Sequence, residues 1–226
     1  MSIRLFCADL DGTLVGNPES SRRFRIAWEG LEEGRGPLLC YNTGRLVDDA
    51  MSLIGHEGLP VPDYVIGGIG TQIHAPRLER PVPELGRSWA SGWDLERIEQ
   101  VLLGFPGVIR QPPRHLHPYK SSWYLHRATD ETVADLRQQL ARAGLAVTVV
   151  YSSMRDLDVL PLDTDKGKAL QRLCEHLDIP LHAVLVAGDS GNDISMFLLP
   201  GVRGSVVENA QPELHGAVVG RPTFTA

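Results

Sequence analysis

Four short apolar runs, residues 3–8, 37–41, 64–66 and 183–187, constrain the fold of this chain more than any other feature. Polar residues do not alternate along them. A strand of that kind is covered on both faces, which requires a parallel sheet with helices packed on each side. The segments between the runs supply the helices. Helical spacing covers roughly residues 20–33 and 45–54, and a third helix starts at Asp165, an N-cap residue, with Leu170, Leu173 and Leu177 on one face. Strands alternating with helices predict an α/β, doubly wound fold.

The middle of the chain follows another rule. Residues 75–86, APRLERPVPELG, are rich in proline and charge and mark a change of organisation. A helix from Asp94 follows, carrying Leu95, Ile98, Val101 and Leu102. In YKSSWYLHR the odd positions Tyr119, Trp123 and Leu125 are apolar, and the even positions Lys120, Ser122, Tyr124 and His126 are polar. Period two predicts an antiparallel strand with one face on a core and the other wet. A second helix (Val133, Leu136, Leu140) ends at Gly144, a C-cap, and strands at 146–151 and 157–160 complete a small α+β unit. Residues 80–160 therefore read as a cap inserted into a core formed by residues 1–79 and 161–226.

Composition narrows the function classes. A net charge of −6 opposes a nucleic-acid partner, because phosphate backbones demand a basic face. No apolar run is long enough for a membrane span, and the start MSIRLFCADL lacks the features of a signal peptide. The three cysteines, Cys7, Cys40 and Cys174, have no metal-type spacing and fit a reduced, cytoplasmic setting.

Reactive side chains fall at the ends of the apolar runs. Asp9 and Asp11 follow the first and Asn42, Thr43, Gly44 and Arg45 the second. Asp189, Asn192 and Asp193, in GDSGND, follow the last, and Lys166 opens the helix after Asp165. Open parallel sheets bind ligands outside the carboxyl ends of their strands. Two carboxylates ~4 Å apart repel by roughly 4 kcal/mol at an effective dielectric near 20, so four on one rim need a compensating cation. Mg²⁺, a hard ion that uses carboxylates and substrate phosphate, supplies it. Asp9 then suits nucleophilic attack on phosphorus, and Asp11 suits protonation of the leaving alkoxide and activation of water. Thr43 and Lys166 suit the phosphoryl oxygens, aided by the dipole of the Lys166 helix.

DLDGTL, NTGR, DKGKAL and GDSGND, in that order, resemble the four motifs of the haloacid dehalogenase-like (HAD) phosphatase superfamily. RFRIAWEG, LLCYNTGR, YVIGGIGTQIH, SWASGWD, YKSSWYL, YSSMRDLDVLPLDTDKGKAL and VAGDSGND together resemble the sucrose-phosphate phosphatase family, up to about Asn209. The resemblance implies a Mg²⁺-dependent phosphatase acting through an aspartyl-phosphate, with sucrose 6-phosphate first among substrates. Another disaccharide or glycosyl phosphate, such as mannosylfructose phosphate, stays open. It implies Asp9 as nucleophile and Asp11 as general acid/base, with phosphate held by Thr43, Gly44, Lys166 and Asn192. Metal is held by Asp9, the backbone carbonyl of Asp11, Asp189 and Asp193. Lys120, with Ser152, Ser153 and Asp158, is expected to read the sugar, although Asp158 could instead fix the hinge.

Blander readings stand beside these. DLDGTL alone could be a strand and turn, Thr43 a helix cap, and Lys166 a surface lysine; the ordered set of motifs argues otherwise. His115 and His117 lack further ligands at zinc spacing and read as a loop. Trp89 and Trp93 fit packing against the cap better than stacking on a sugar. A phosphomutase would share the aspartates, and a sugar-phosphate sensor partnering a glycosyltransferase would bind without turnover. The intact Asp9/Asp11 pair favours hydrolysis. Relatives usually continue past RPTFTA into a closing helix, which leaves one sheet edge in question.

Overall fold

The structure is a computed structural model, and it describes residues 2–31, 36–78, 80, 81 and 92–225. Trp89 and residues 82–91 lie outside the described residues. The strands β1 (Leu5–Ala8), β2 (Leu38–Asn42), β3 (Tyr64–Gly67), β4 (Gln72–Ala75), β5 (Arg80–Pro81), β10 (Val184–Gly188), β11 (Arg203–Val206) and β12 (Thr223–Thr225) form one sheet. Its order is β12-β11-β10-β1-β2-β3-β4-β5, parallel from β12 to β3 and antiparallel at β4 and β5. The direction of strand progression reverses between β1 and β10, so the crevice of a doubly wound sheet opens at the ends of these two strands. The edge left in question by RPTFTA carries β12, paired in parallel with β11.

Alternating residues of β1 serve the two faces. Leu5 and Cys7 pack with Cys40, Ile66 and the helices α5 (Lys166–His176), α6 (Ile194–Phe197) and α7 (Pro212–Ala217). Phe6 turns the other way, toward Leu39, Tyr41 and the helices α1 (Pro18–Glu29) and α2 (Val47–Glu57). Helix α1 starts before residue 20 because Asn17 caps it and Pro18 takes its first position, and it ends at Glu29 instead of running to 33. Helix α2 begins at Val47 because Thr43 and Arg45 belong to the preceding loop, where the Thr43 side chain accepts from the Arg45 amide.

Between β5 and α5 the chain builds a second sheet, ordered β6-β7-β9-β8 from β6 (Val108–Arg110), β7 (Ser121–Leu125), β9 (Asp156–Pro161) and β8 (Val147–Ser152). Trp123, Leu125, Val149, Leu157 and Val159 pack on α3 (Leu95–Leu103) and α4 (Asp130–Arg142). Asp94 caps α3, as its position predicts. Helix α4 stops at Arg142, with Gly144 just beyond it at φ 74°, so the glycine makes the left-handed turn one residue after the cap. Trp93 packs at the edge of this core and donates to Pro118 O at 2.7 Å.

The expectation of a wet face on β7 holds only in part: His126 is exposed and Tyr124 half-buried, but the other two even positions are closed. Lys120 and Ser122 are 4% and 0% exposed. Period two correctly separates the faces, but the polar face roofs the rim of the larger sheet. Local pattern reports which side is polar, and only the stacking of the two sheets decides whether water reaches it.

Candidate active site

The ends of β1, β2, β3 and β10 and the start of α5 meet around a cavity of about 340 Å³. Asp9, Asp11, Thr43, Gly44, Arg45, Ile69, Asp189, Ser190 and Asn192 line its floor. The roof includes Gln111, His115, Lys120, Tyr124, Ser152, Ser153, Arg155, Asp156 and Asp158.

Lys166 lies beneath the floor, against Asp9. It is the first residue of α5, whose N-cap Asp165 accepts from the Lys168 amide, and it is completely buried. Its ammonium lies 2.7 Å from Asp9 Oδ1 and 2.7 Å from Asp193 Oδ1. Burial works to lower the Lys166 pKa, but Asp193 and Asp9 outweigh it and the net shift is upward. Burial pushes the Asp9 carboxyl well up; Lys166 opposes this, while Asp193 and Asp189 add to it. Asp189 is pushed up to about 6, by burial first and Asp193 next. Three acids packed round one ammonium thus carry excess negative charge.

That excess is the chemistry of a hard-cation site. Oxygen atoms of Asp9, Asp189 and Asp193 lie within 4.8 Å of one another. The donors are all carboxylate oxygens, the set that suits Mg²⁺. The β1 turn leaves room for them: Gly12 has φ +81°, and a Cβ there would fall 2.5 Å from Asp189 Oδ2. Asp193 has the least free capacity of the three. Its Oδ1 meets Lys166, and its Oδ2 accepts from the amides of Asp189 at 3.0 Å and Ser190 at 3.1 Å.

Thr43 is buried at the end of β2, its backbone bonded to Ile66 and Ile69. Gly44 faces Ile69 and Asn192 across the floor. Asn42, fully buried, donates to the Lys166 carbonyl at 2.9 Å and so ties this strand end to α5. The Asp11 side chain stands apart from the acidic cluster and pairs with Arg45 at 2.7 and 2.8 Å.

In the roof, Lys120 is already engaged. It lies 2.9 Å from Asp158 Oδ1 and donates to Ser122 Oγ at 2.7 Å, while Ser122 donates to Asp158 at 2.6 Å. Asp158 sits within β9, cross-strand from Ser122, so it does not occupy a hinge. Ser152 and Ser153 line the cavity from the β8–β9 turn. A second polar rung was not anticipated: Tyr124, Asp156 and Ser152 are cross-strand partners, and Gln111 and Arg155 both bond Asp156. The alternation of Asp156 with Asp158 is the signal that could have found it. Arg45 was also unassigned, and no local pattern marks its partner.

The architecture is that of the haloacid dehalogenase-like hydrolases; one from Bacillus subtilis superposes with a TM-score of 0.70 at 20% identity, over 98% of this chain and 94% of that one. Within that class, the chain belongs to the sucrose-6F-phosphate phosphohydrolase family, whose model matches residues 3–221. With that family it is a phosphoric monoester hydrolase. Mannosylfructose-phosphate phosphatase of Agrobacterium fabrum is 43% identical over 212 residues, covering 94% of this chain and 86% of the relative. Probable sucrose-phosphatase 2 of Arabidopsis thaliana is 34% identical over 219 residues; the matched part is 93% of this chain and 51% of that protein, about half its length. The sucrose-phosphatase of Synechocystis, solved with sucrose and phosphate, superposes with a TM-score of 0.90 at 31% identity, over 100% of this chain and 92% of that one. No helix among the described residues is long and apolar enough to cross a membrane.

Proposed function

We propose that the chain hydrolyses sucrose 6-phosphate to sucrose and phosphate, with a catalytic core of residues 1–81 and 162–226 and a specificity cap between them, the expected boundaries at 80 and 160 moving because Arg80–Pro81 pairs in the large sheet and β9 runs to Pro161. The observation that carries this reading is the buried Lys166 ammonium at 2.7 Å from Asp9, beneath a polar roof. A carboxylate oxygen of Asp9 bonds to phosphorus as the bond from phosphorus to the sugar oxygen breaks. The electron pair passes to that oxygen, which takes a proton from Asp11. Asp11, now a carboxylate, takes a proton from water as the water oxygen attacks the aspartyl-phosphate; the acyl phosphate bond breaks, releasing phosphate and restoring Asp9. Thr43, Gly44, Asn192 and Lys166 hold the phosphoryl oxygens. Asp9, Asp189, Asp193 and the Asp11 carbonyl would hold Mg²⁺, which supplies positive charge against the phosphoryl group.

Lys120, Asp158, Ser152 and Ser153 read the sugar. A roof that meets the sugar with polar groups discriminates against analogues lacking hydroxyls. A second reading, mannosylfructose phosphate, is favoured by the 43% identity to the Agrobacterium enzyme. The two substrates differ in the sugar joined to fructose, so the choice rests on the roof. The compartment fits the cytoplasm, and a glycosyltransferase that makes the phosphorylated disaccharide fits as a partner handing over the substrate.

The test is phosphate release from sucrose 6-phosphate, mannosylfructose phosphate, fructose 6-phosphate and glucose 6-phosphate, with Mg²⁺ and with excess chelator. A disaccharide phosphate should lead, with sucrose 6-phosphate ahead, and chelation should stop release. Preference for a monosaccharide phosphate would remove the cap from specificity, and chelator-insensitive release would remove Mg²⁺.

A further inference from the structure

Asp11 presents a positional problem. Its side chain is 51% exposed and emerges beyond the end of β1, next to a glycine with φ +81°. A half-exposed aspartate on a turn samples several staggered side-chain wells. Acid catalysis requires it to spend its time aimed at one oxygen, because a misdirected group forfeits the benefit of proximity.

Arg45 resolves this. Its Nε donates to Asp11 Oδ2 at 2.7 Å and its Nη2 to Asp11 Oδ1 at 2.8 Å, a fork that fixes the plane of the carboxylate as well as its place. The guanidinium is itself anchored, since Nη1 donates to Asp49 on α2 at 2.8 Å. The Arg45 carbonyl accepts from Gly68 at 2.7 Å, and the Arg45 amide donates to the Thr43 hydroxyl at 3.2 Å. The loop that places Thr43 therefore also aims the guanidinium. The fork uses one lone pair on each Asp11 oxygen, and a carboxylate offers about four acceptor sites in all, so room for the transferred proton remains.

We propose that Arg45 is a positioning residue that, braced by Asp49, orients Asp11 toward the leaving oxygen of the substrate. This rests on the reading of Asp11 as the general acid, and the consequence is specific. A sugar alkoxide leaves poorly without a proton, whereas p-nitrophenolate leaves without one. Loss of Arg45 therefore penalises the first step for the sugar ester alone, while an ordinary folding defect or a weakened phosphate grip penalises both esters alike.

The experiment is single-turnover release of the alcohol, with enzyme in excess and Mg²⁺ present. The esters are p-nitrophenyl phosphate and whichever sugar phosphate the unaltered enzyme hydrolyses fastest. Arg45→Gln should slow sugar release by about 10- to 100-fold, within the range general acids contribute, and nitrophenolate release by less than about 3-fold. Arg45→Lys should recover part of the loss, and Asp49→Asn should show a smaller loss of the same selectivity. Equal losses on both esters, or no loss on either, overturn the proposal. Asp11→Asn separates the two ideas. If it discriminates between the esters and Arg45→Gln does not, the role of Arg45 fails alone; if it does not discriminate, the reading of Asp11 as the acid fails first and the proposal with it.

Discussion

Burial raises the Asp9 carboxyl most, and its neighbours divide over its charge. Lys166 at 2.7 Å holds it in place, and Asp193 and Asp189 push against its charge. Asp9→Asn keeps the shape of the side chain and removes the attacking oxygen. It should lower phosphate release by at least about 10³-fold while thermal unfolding stays cooperative; turnover within tenfold of the unaltered enzyme would exclude Asp9 as nucleophile. The same crowding affects stability. Asp189 titrates near 6 in the fold, above its ordinary 3.8, so between those values the folded state binds more protons than the unfolded chain. Below about 4 there is no penalty; above about 6 the penalty is complete. The metal-free protein should therefore melt lower at pH 7.5 than at pH 5, on the order of 5 °C, and Mg²⁺ should remove most of that difference at pH 7.5. A metal-free melting temperature that rises over this interval would contradict the crowding of acids.

Helix α5 carries Lys166 into the site because its second residue is a glycine. A Cβ on Gly167 would lie 2.3 Å from the Ser195 carbonyl oxygen, and the Gly167 amide donates to Ser195 Oγ at 2.9 Å. The glycine therefore sets the distance between α5 and the segment that bears Asp193. Gly167→Ala should destabilise by about 1–3 kcal/mol through overpacking and, by shifting Lys166, cut phosphate release at least tenfold. Urea unfolding and a phosphate assay on the same sample measure both; unchanged values in each would show that the approach is not tight. Element ends follow the same logic elsewhere. Asp94 and Asp165 were legible as helix starts because capping is local, whereas the Asn17 cap of α1 was not read and the first turn of α2 was misplaced by two residues because the Thr43 hydroxyl holds Arg45 in the loop.

At the scale of the molecule, the β8–β9 hairpin is one place where the two sheets meet. The β8–β9 turn carries Ser153 and Met154 at φ 53° and 49°, and Glu213 of α7 accepts from the Ser153 amide at 3.2 Å. This bond joins the roof to the floor beside Gly191, where a Cβ would lie 3.1 Å from Glu213 Oε1. Glu213→Ala removes one exposed hydrogen bond, about 0.5–1.5 kcal/mol, so KM for a disaccharide phosphate should rise roughly 2- to 10-fold. Hydrolysis of p-nitrophenyl phosphate, which does not need the roof, should change little. An unchanged KM for the disaccharide ester would mean that the roof closes without this contact.

The parallel sheet, the separation of polar from apolar faces on β7, and the acids at the ends of β1 and β10 were all legible in local pattern. Each follows from side-chain period or from turn chemistry within a few residues. Tertiary packing settled that Lys166 bridges Asp9 and Asp193, that Lys120 and Ser122 are buried, that Asp158 pairs with Lys120, and that Arg45 grips Asp11. Those contacts join residues up to 157 positions apart, and their partners are set by how one sheet stacks over the other. Local pattern carries no record of that stacking, because the free energy of bringing such groups together exists only once the intervening core has packed.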